Sequence, residues 1–320
     1  MDSTNPPDTT KAPERPILDT ALFALLAFMI TWGTGMLIVL SSHASLVNGA
    51  HQVQHPIPLP FPIAITLVMI GGFGPFLAAT AVTWLRSRRS GLRGLFSQFR
   101  RWRVHPVWFV TAFFGPAFLG LVALCVTALF GGATPAHWFT LPRPVLFAAW
   151  SVGPWGEELG WRGYAQPQLQ KSLGALGASL VVGTIWSLWH YWPVATPAGG
   201  SFMELVQAPF LTWWVYELAN SVMMAWLYNS TGGSLPIAWA AHVGLSLGQN
   251  LVDKHPIPFG TFVLPFCAAA TVVALVNGPG ISHGLMPRTA VLTGDRTAEG
   301  RPSSSEILLG VMTGPPTGSA

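Results

Sequence analysis

Six ionisable side chains, Glu157, Glu158, Arg162, His190, Glu217 and His242, stand in stretches otherwise too apolar to hold them. An ionisable group inside an apolar span costs roughly 2.5 to 3.5 kcal/mol on insertion scales, so each one needs a partner or a chemical task. The run Gly156-Glu157-Glu158-Leu159-Gly160-Trp161-Arg162 fixes the first pairing. On a helix, residues four apart share a face, while neighbours are turned by about 100°. Arg162 is therefore placed to neutralise Glu158, and Glu157 faces a different, water-filled space. Adjacent carboxylates in unlike surroundings hold protons unequally, which gives a site one fixed charge and one working acid or base.

A carboxylate with two imidazoles in reach can bind and deprotonate a water molecule. It can do so directly or through a metal such as zinc, for which Glu157, His190 and His242 are the candidate ligands. The same groups also suit a proton relay of the kind transporters use. Glu217 either joins them or pairs with a neighbour. Trp186 and Trp189 lie at helical spacing from His190 and Trp192 and are candidates to wall the site.

Positioning such groups falls to a membrane-embedded scaffold. Hydrophobic residues make up 51% of the 320 and charged residues 9%, far below the roughly one-quarter charged content of soluble domains. Apolar runs between turns and charges predict an all-α transmembrane bundle of about eight spans. These fall at about 18-41, 61-85, 106-130, 144-165, 177-195, 205-228, 235-252 and 257-278. The intervening segment 166-176, with Gln168, Gln170 and Lys171, reads as interfacial. Residues 1-16 and 279-320 read as disordered tails flanking one domain, 17-278.

Between the second and third spans stand Arg86, Arg88, Arg89, Arg93, Arg100, Arg101 and Arg103, whereas residues 42-60 contain no Lys or Arg. The positive-inside rule makes that arginine loop cytoplasmic, and an even number of spans then puts both termini there too. The expected location is integral to a membrane such as the bacterial cytoplasmic membrane. The net charge of +4 is thus a topology signal and does not point to a nucleic-acid partner. Within the loop, Phe99, Trp102 and Val104 alternate with arginines in a pattern suited to anionic headgroups. Cys125 and Cys267 stand alone in separate apolar runs and read as small buried side chains, with no disulfide framework.

At these residues the sequence resembles the CPBP family of intramembrane proteases, the CAAX protease and bacteriocin-processing family. Its Glu-Glu-x-x-x-Arg motif is matched by Glu157, Glu158 and Arg162. Its Phe-x-x-x-His motif appears as Trp186 to His190, with tryptophan at the aromatic position. Its His-x-x-x-Asn motif appears as His242 to Ser246, with serine where asparagine is usual. The resemblance covers roughly 144-250. It implies that Glu157 is the general base for an attacking water that His190 helps to bind, with Glu158 and Arg162 holding the geometry. His242 and Ser246 would stabilise the oxyanion. It is compatible with zinc and with a metal-free glutamate mechanism.

The function expected on these grounds is an intramembrane endopeptidase acting on a membrane-associated peptide or protein. The alternatives are a non-proteolytic immunity or scaffold protein of the same fold, and a proton-coupled transporter. The absence of repeated halves counts against the last.

Overall fold

The computed structural model describes residues 15–42, 60–130, 144–190, 208–251 and 259–282. Trp192 and nearly all of the two expected tails lie outside them. Among the described residues the regular structure is entirely helical: α1 (Pro16–Ser42), α2 (Phe61–Gly72), α3 (Gly74–Ser97), α4 (Pro106–Leu129), α5 (Pro144–Gly160), α6 (Gln166–His190), α7 (Ala208–Ser230), α8 (Leu235–Leu251) and α9 (Phe259–Asn277), with a π turn at Trp161–Ala165. Among the described residues, four helical stretches are long and apolar enough to cross a membrane, or five if the bent pair α2–α3 is one span. Many outward-facing side chains are large and apolar, among them Leu37, Phe114, Phe118, Leu264 and Leu275. A surface of this kind suits lipid. The protein is an integral membrane helix bundle.

Two breaks depart from the expected spans, and both place site residues. The second expected span is two helices bent by 54° at Phe73. Gly71, Gly72 and Gly74 weaken the helix there, and Pro75 disfavours helical geometry in the residue before it. Thr31 on α1 holds the break by donating from Oγ1 to the Gly71 carbonyl, 2.7 Å. The bend exposes backbone against which α5 packs. A Cβ on Gly156 would lie 2.8 Å from the Gly72 oxygen, and one on Gly160 would lie 2.7 Å from the Pro75 oxygen. Glycines spaced four apart let backbones approach closely in a membrane, where packing and polar contacts drive helix association.

The second break is at Gly174, whose φ of 68° and ψ of 172° interrupt α6. A straight helix from Glu157 to His190 would be about 50 Å long at 1.5 Å per residue, yet their side chains lie 3.8 Å apart. The chain therefore doubles back, and Gly174 supplies the positive φ that other residues adopt only under strain. Gln166 ties the reversal by donating to the Ala175 carbonyl, 3.1 Å. The segment expected at the interface is thus helical up to Gly174, with Gln166 and Leu169 buried.

The remaining contacts bring α7 and α8 to the same place. Ser221 Oγ donates to the Ser179 carbonyl at 2.7 Å, which fixes α7 on α6. Gly232 and Gly233, both at positive φ, turn the chain from α7 into α8. Gln98 accepts from Tyr228 at 2.5 Å and donates to the Gly163 carbonyl at 2.9 Å. The arginine loop is thereby fastened both to α7 and to the π turn. Of the two cysteines, Cys125 is exposed on the outer surface of α4 and not buried as expected, and Cys267 is half-buried; both are free.

Helix α8 lies on α4 through Gly244 and Gly248. A Cβ on Gly244 would fall 2.5 Å from the carbonyl oxygens of Ala112 and Phe113. Backbone cannot move aside as a flexible side chain can, so Gly244→Ala is expected to cost about 1 to 3 kcal/mol by overpacking. Gly94→Ala, where an added Cβ meets nothing within 4 Å, is expected to be neutral or slightly stabilising. Unfolding midpoints of the two variants in the same detergent check this; equal midpoints would contradict the close crossing.

Candidate active site

Glu158 and Arg162 are both completely buried, and Arg162 Nη1 donates to Glu158 Oε1 at 3.2 Å. This is the pairing expected from their spacing. The same Glu158 oxygen also accepts from Nδ1 of His242 on α8, at 2.7 Å. One carboxylate therefore joins α5, the π turn and α8. That second bond was not legible from helical spacing, because it links residues 84 positions apart.

Glu157 faces away from this pair, toward the two histidines. Its Oε2 lies 3.8 Å from His190 Nε2, and its Oε1 lies 4.0 Å from His242 Nε2. Both separations exceed hydrogen-bond length. A water about 2.8 Å from each partner spans either of them. The three side chains retain 12%, 20% and 11% exposure for Glu157, His190 and His242, while Glu158 and Arg162 have none. These three groups therefore keep slight exposure, while the Glu158–Arg162 pair is sealed.

Hydrogen bonds choose the imidazole tautomers. His190 Nδ1 lies 3.0 Å from the Trp186 carbonyl, an acceptor only, so Nδ1 carries a proton and Nε2 is the nitrogen turned toward Glu157. His242 Nδ1 likewise donates to Glu158. Both Nε2 atoms thus face the space beside Glu157.

Trp186 does more than wall this space. Its Nε1 donates to Glu157 Oε2 at 2.8 Å, and the Arg162 guanidinium lies 4.5 Å from its ring centre. It also meets the His190 and His242 rings edgewise or tilted, each at 5.4 Å. The only sequence signal for this role is its place four residues before His190. Trp189 serves the scaffold as well as the site. It touches the His190 ring at 4.8 Å and donates from Nε1 to Thr31 at 2.9 Å.

Ser246 is half-buried one turn beyond His242 on α8. Glu217 on α7 is 3% exposed and lies within electrostatic range of His242, Arg162, Glu157 and Glu158. Its Oε2 has no hydrogen-bond partner among the described residues. Glu217 is thus buried near these groups, and among the described residues no ion pair is found for it. No three of the described His, Cys, Asp and Glu side chains converge as they would to hold an ion, and Glu158 is already committed to Arg162 and His242.

Removing one partner of a buried ion pair leaves an uncompensated charge, at a cost of about 3 to 5 kcal/mol. Arg162→Met is therefore expected to lower stability by that amount, and Glu158→Gln/Arg162→Met to recover most of it. Unfolding curves in detergent compare them; a double variant as unstable as the single one would show that the guanidinium acts through packing instead.

Residues 138–248 match the family described as type II CAAX prenyl endopeptidase, Rce1-like. A CAAX prenyl protease 2 of Methanococcus maripaludis is 30% identical over 135 residues, which are 41% of this chain and 49% of that protein. The chain spans about half the length of this curated relative. The matched segment contains Glu157, Glu158, Arg162, His190, His242 and Ser246. The three motifs and the site they build thus lie in a segment similar to the Rce1-like type II CAAX prenyl endopeptidases.

Proposed function

We propose that the protein is an intramembrane endopeptidase that hydrolyses a peptide bond in a membrane-associated peptide or protein by means of a water activated by Glu157. One observation carries this reading: the two oxygens of Glu157 face the Nε2 atoms of two different imidazoles, at 3.8 and 4.0 Å. Glu157 removes a proton from a water that His190 Nε2 orients, and the resulting hydroxide adds to the substrate carbonyl carbon. The carbonyl π electrons move to oxygen. His242 Nε2 can meet that oxyanion as a donor only when its ring carries both protons, and the carboxylate of Glu158 at Nδ1 is the counter-charge for that form. The Ser246 hydroxyl, one turn along, supplies a second donor. Collapse of the intermediate breaks the C–N bond, and protonated Glu157 returns its proton to the leaving amine.

No metal enters these steps. Glu157, His190 and His242 include the donor types zinc accepts, and the steps proposed here use water alone. The resemblance to a CAAX prenyl protease supports a substrate processed near its C-terminus. Bacteriocin-type processing remains the other substrate class of this reading. The serine at 246 favours one second reading, a non-proteolytic immunity or scaffold protein of the same fold, since serine brings one donor proton where an amide brings two.

Glu157→Gln keeps the size of the side chain and the acceptor oxygen but removes the base. It is expected to lower cleavage by roughly 10² to 10⁴-fold with an unchanged unfolding midpoint. Comparing membrane peptides from cells carrying wild-type protein or this variant finds the substrate, and undiminished cleavage would sink the mechanism. For the metal-free step, chelator-treated enzyme with no zinc by elemental analysis is expected to retain full activity. Loss that only added zinc restores would overturn it.

A further inference from the structure

A topology signal needs only the number of arginines in a loop, but here the structure gives most of the seven a distinct task. Arg86 pairs with Asp19 at 2.6 Å. Arg88 lies over the Trp84 ring at 5.6 Å and Arg103 over Trp102 at 5.5 Å. Arg101 Nη1 donates to the Gly232 carbonyl at 2.7 Å. The other three, Arg89, Arg93 and Arg100, line a single open concavity together with Leu92, Phe96 and Ser97. Among the described residues none of these three forms an ion pair with a carboxylate.

Like charges gathered around one concavity repel until an anion enters. Guanidinium groups suit phosphate in particular, because their fork matches two phosphate oxygens at once. The floor is apolar: Leu92 and Phe96 are half-buried, and Phe96 rests on Phe76 and Phe99 at 5.8 and 6.2 Å. A free phosphate ion has no use for such a floor, whereas a phospholipid brings a glycerol and acyl stem. The height in the fold agrees. Trp84 and Leu85 are the last exposed apolar side chains of the first part of α3, and the helix kinks at Arg88, whose φ is 51°. The concavity opens just past that kink, where an apolar helix meets the headgroup layer and tryptophan is commonly found.

We propose that this concavity binds the phosphate of an anionic phospholipid, with Arg89, Arg93 and Arg100 on the phosphate and Leu92 and Phe96 under its stem. The site is independent of the catalytic reading, and its test requires no proteolysis. The full-length protein in phosphatidylcholine nanodiscs is titrated with phosphatidylglycerol, and bound lipid is counted by native mass spectrometry. The variant Arg89→Gln/Arg93→Gln/Arg100→Gln is expected to lose affinity by roughly 100-fold, and Arg93→Gln alone by roughly 5-fold. A charge-matched control, Arg288→Gln/Arg296→Gln/Arg301→Gln, is expected to bind as wild type. Millimolar inorganic phosphate is expected not to displace the lipid. Unaltered binding by both cavity variants, or equal loss in the control, would overturn the site, and displacement by inorganic phosphate would overturn its assignment to a lipid. Should the triple variant fail to fold, Arg93→Gln alone decides.

Discussion

The carboxylate of Glu158 is the point on which the arrangement turns. It is fully buried, accepts from Arg162 and from His242, and so ties three parts of the chain to a single oxygen, Oε1. In lipid the apolar side chains gain little by meeting one another, because the solvent is as apolar as they are. A buried charge that can be satisfied by only one set of partners then does what a hydrophobic core does in water. It favours one placement of α8, since a slipped α8 would take the His242 donor away from the buried Glu158 carboxylate.

That interaction requires helices that sequence order alone would hold apart. The reversal at Gly174 returns α6 to the level of α5, and the bend at Phe73 opens backbone for Gly156 and Gly160 to lie against. Glu157 and Glu158 fall between the two close-approach glycines, so the residues that pack flank the two carboxylates within about a turn and a half of helix. Trp189 closes the circuit by bonding to Thr31, which itself holds the broken end of α2. The bend at Phe73 is therefore hydrogen-bonded to a residue that touches the His190 ring.

Much of this was legible in the sequence. The membrane class followed from composition, and the Glu158–Arg162 pair followed from a spacing of four. The convergence of Glu157, His190 and His242 followed from the cost of leaving each alone in an apolar span. The rest was hidden for physical reasons. A proline preceded by three glycines within four residues signals weakness in a helix but not which neighbour will exploit the bend, so α2 and α3 read as one span. Glycine at 174 is permissive in any conformation, and its positive φ appears only once the two halves of the hairpin pack. The bond from His242 to Glu158 is tertiary, and no local pattern encodes it. Cys125 was misplaced because an apolar residue faces lipid as readily as protein, and periodicity does not separate the two environments.

The two departures from the family motifs act on different parts of the proposed chemistry. Tryptophan at 186 adds a hydrogen bond that phenylalanine could not make, and it falls on Glu157 Oε2. Serine at 246 offers a single hydroxyl where asparagine would bring an amide. The indole bond holds the carboxylate before reaction, with its other oxygen toward His242. It therefore reduces the freedom that the base must lose on the way to the transition state, a contribution of position. The serine lies on the oxyanion side, where charge develops and each fixed donor counts most. On this reading the chain has a better held base and a thinner oxyanion hole than its motifs prescribe. The demand on His242 rises accordingly, and the bond from Glu158 that fixes its ring becomes the contact through which the buried ion pair reaches the chemistry.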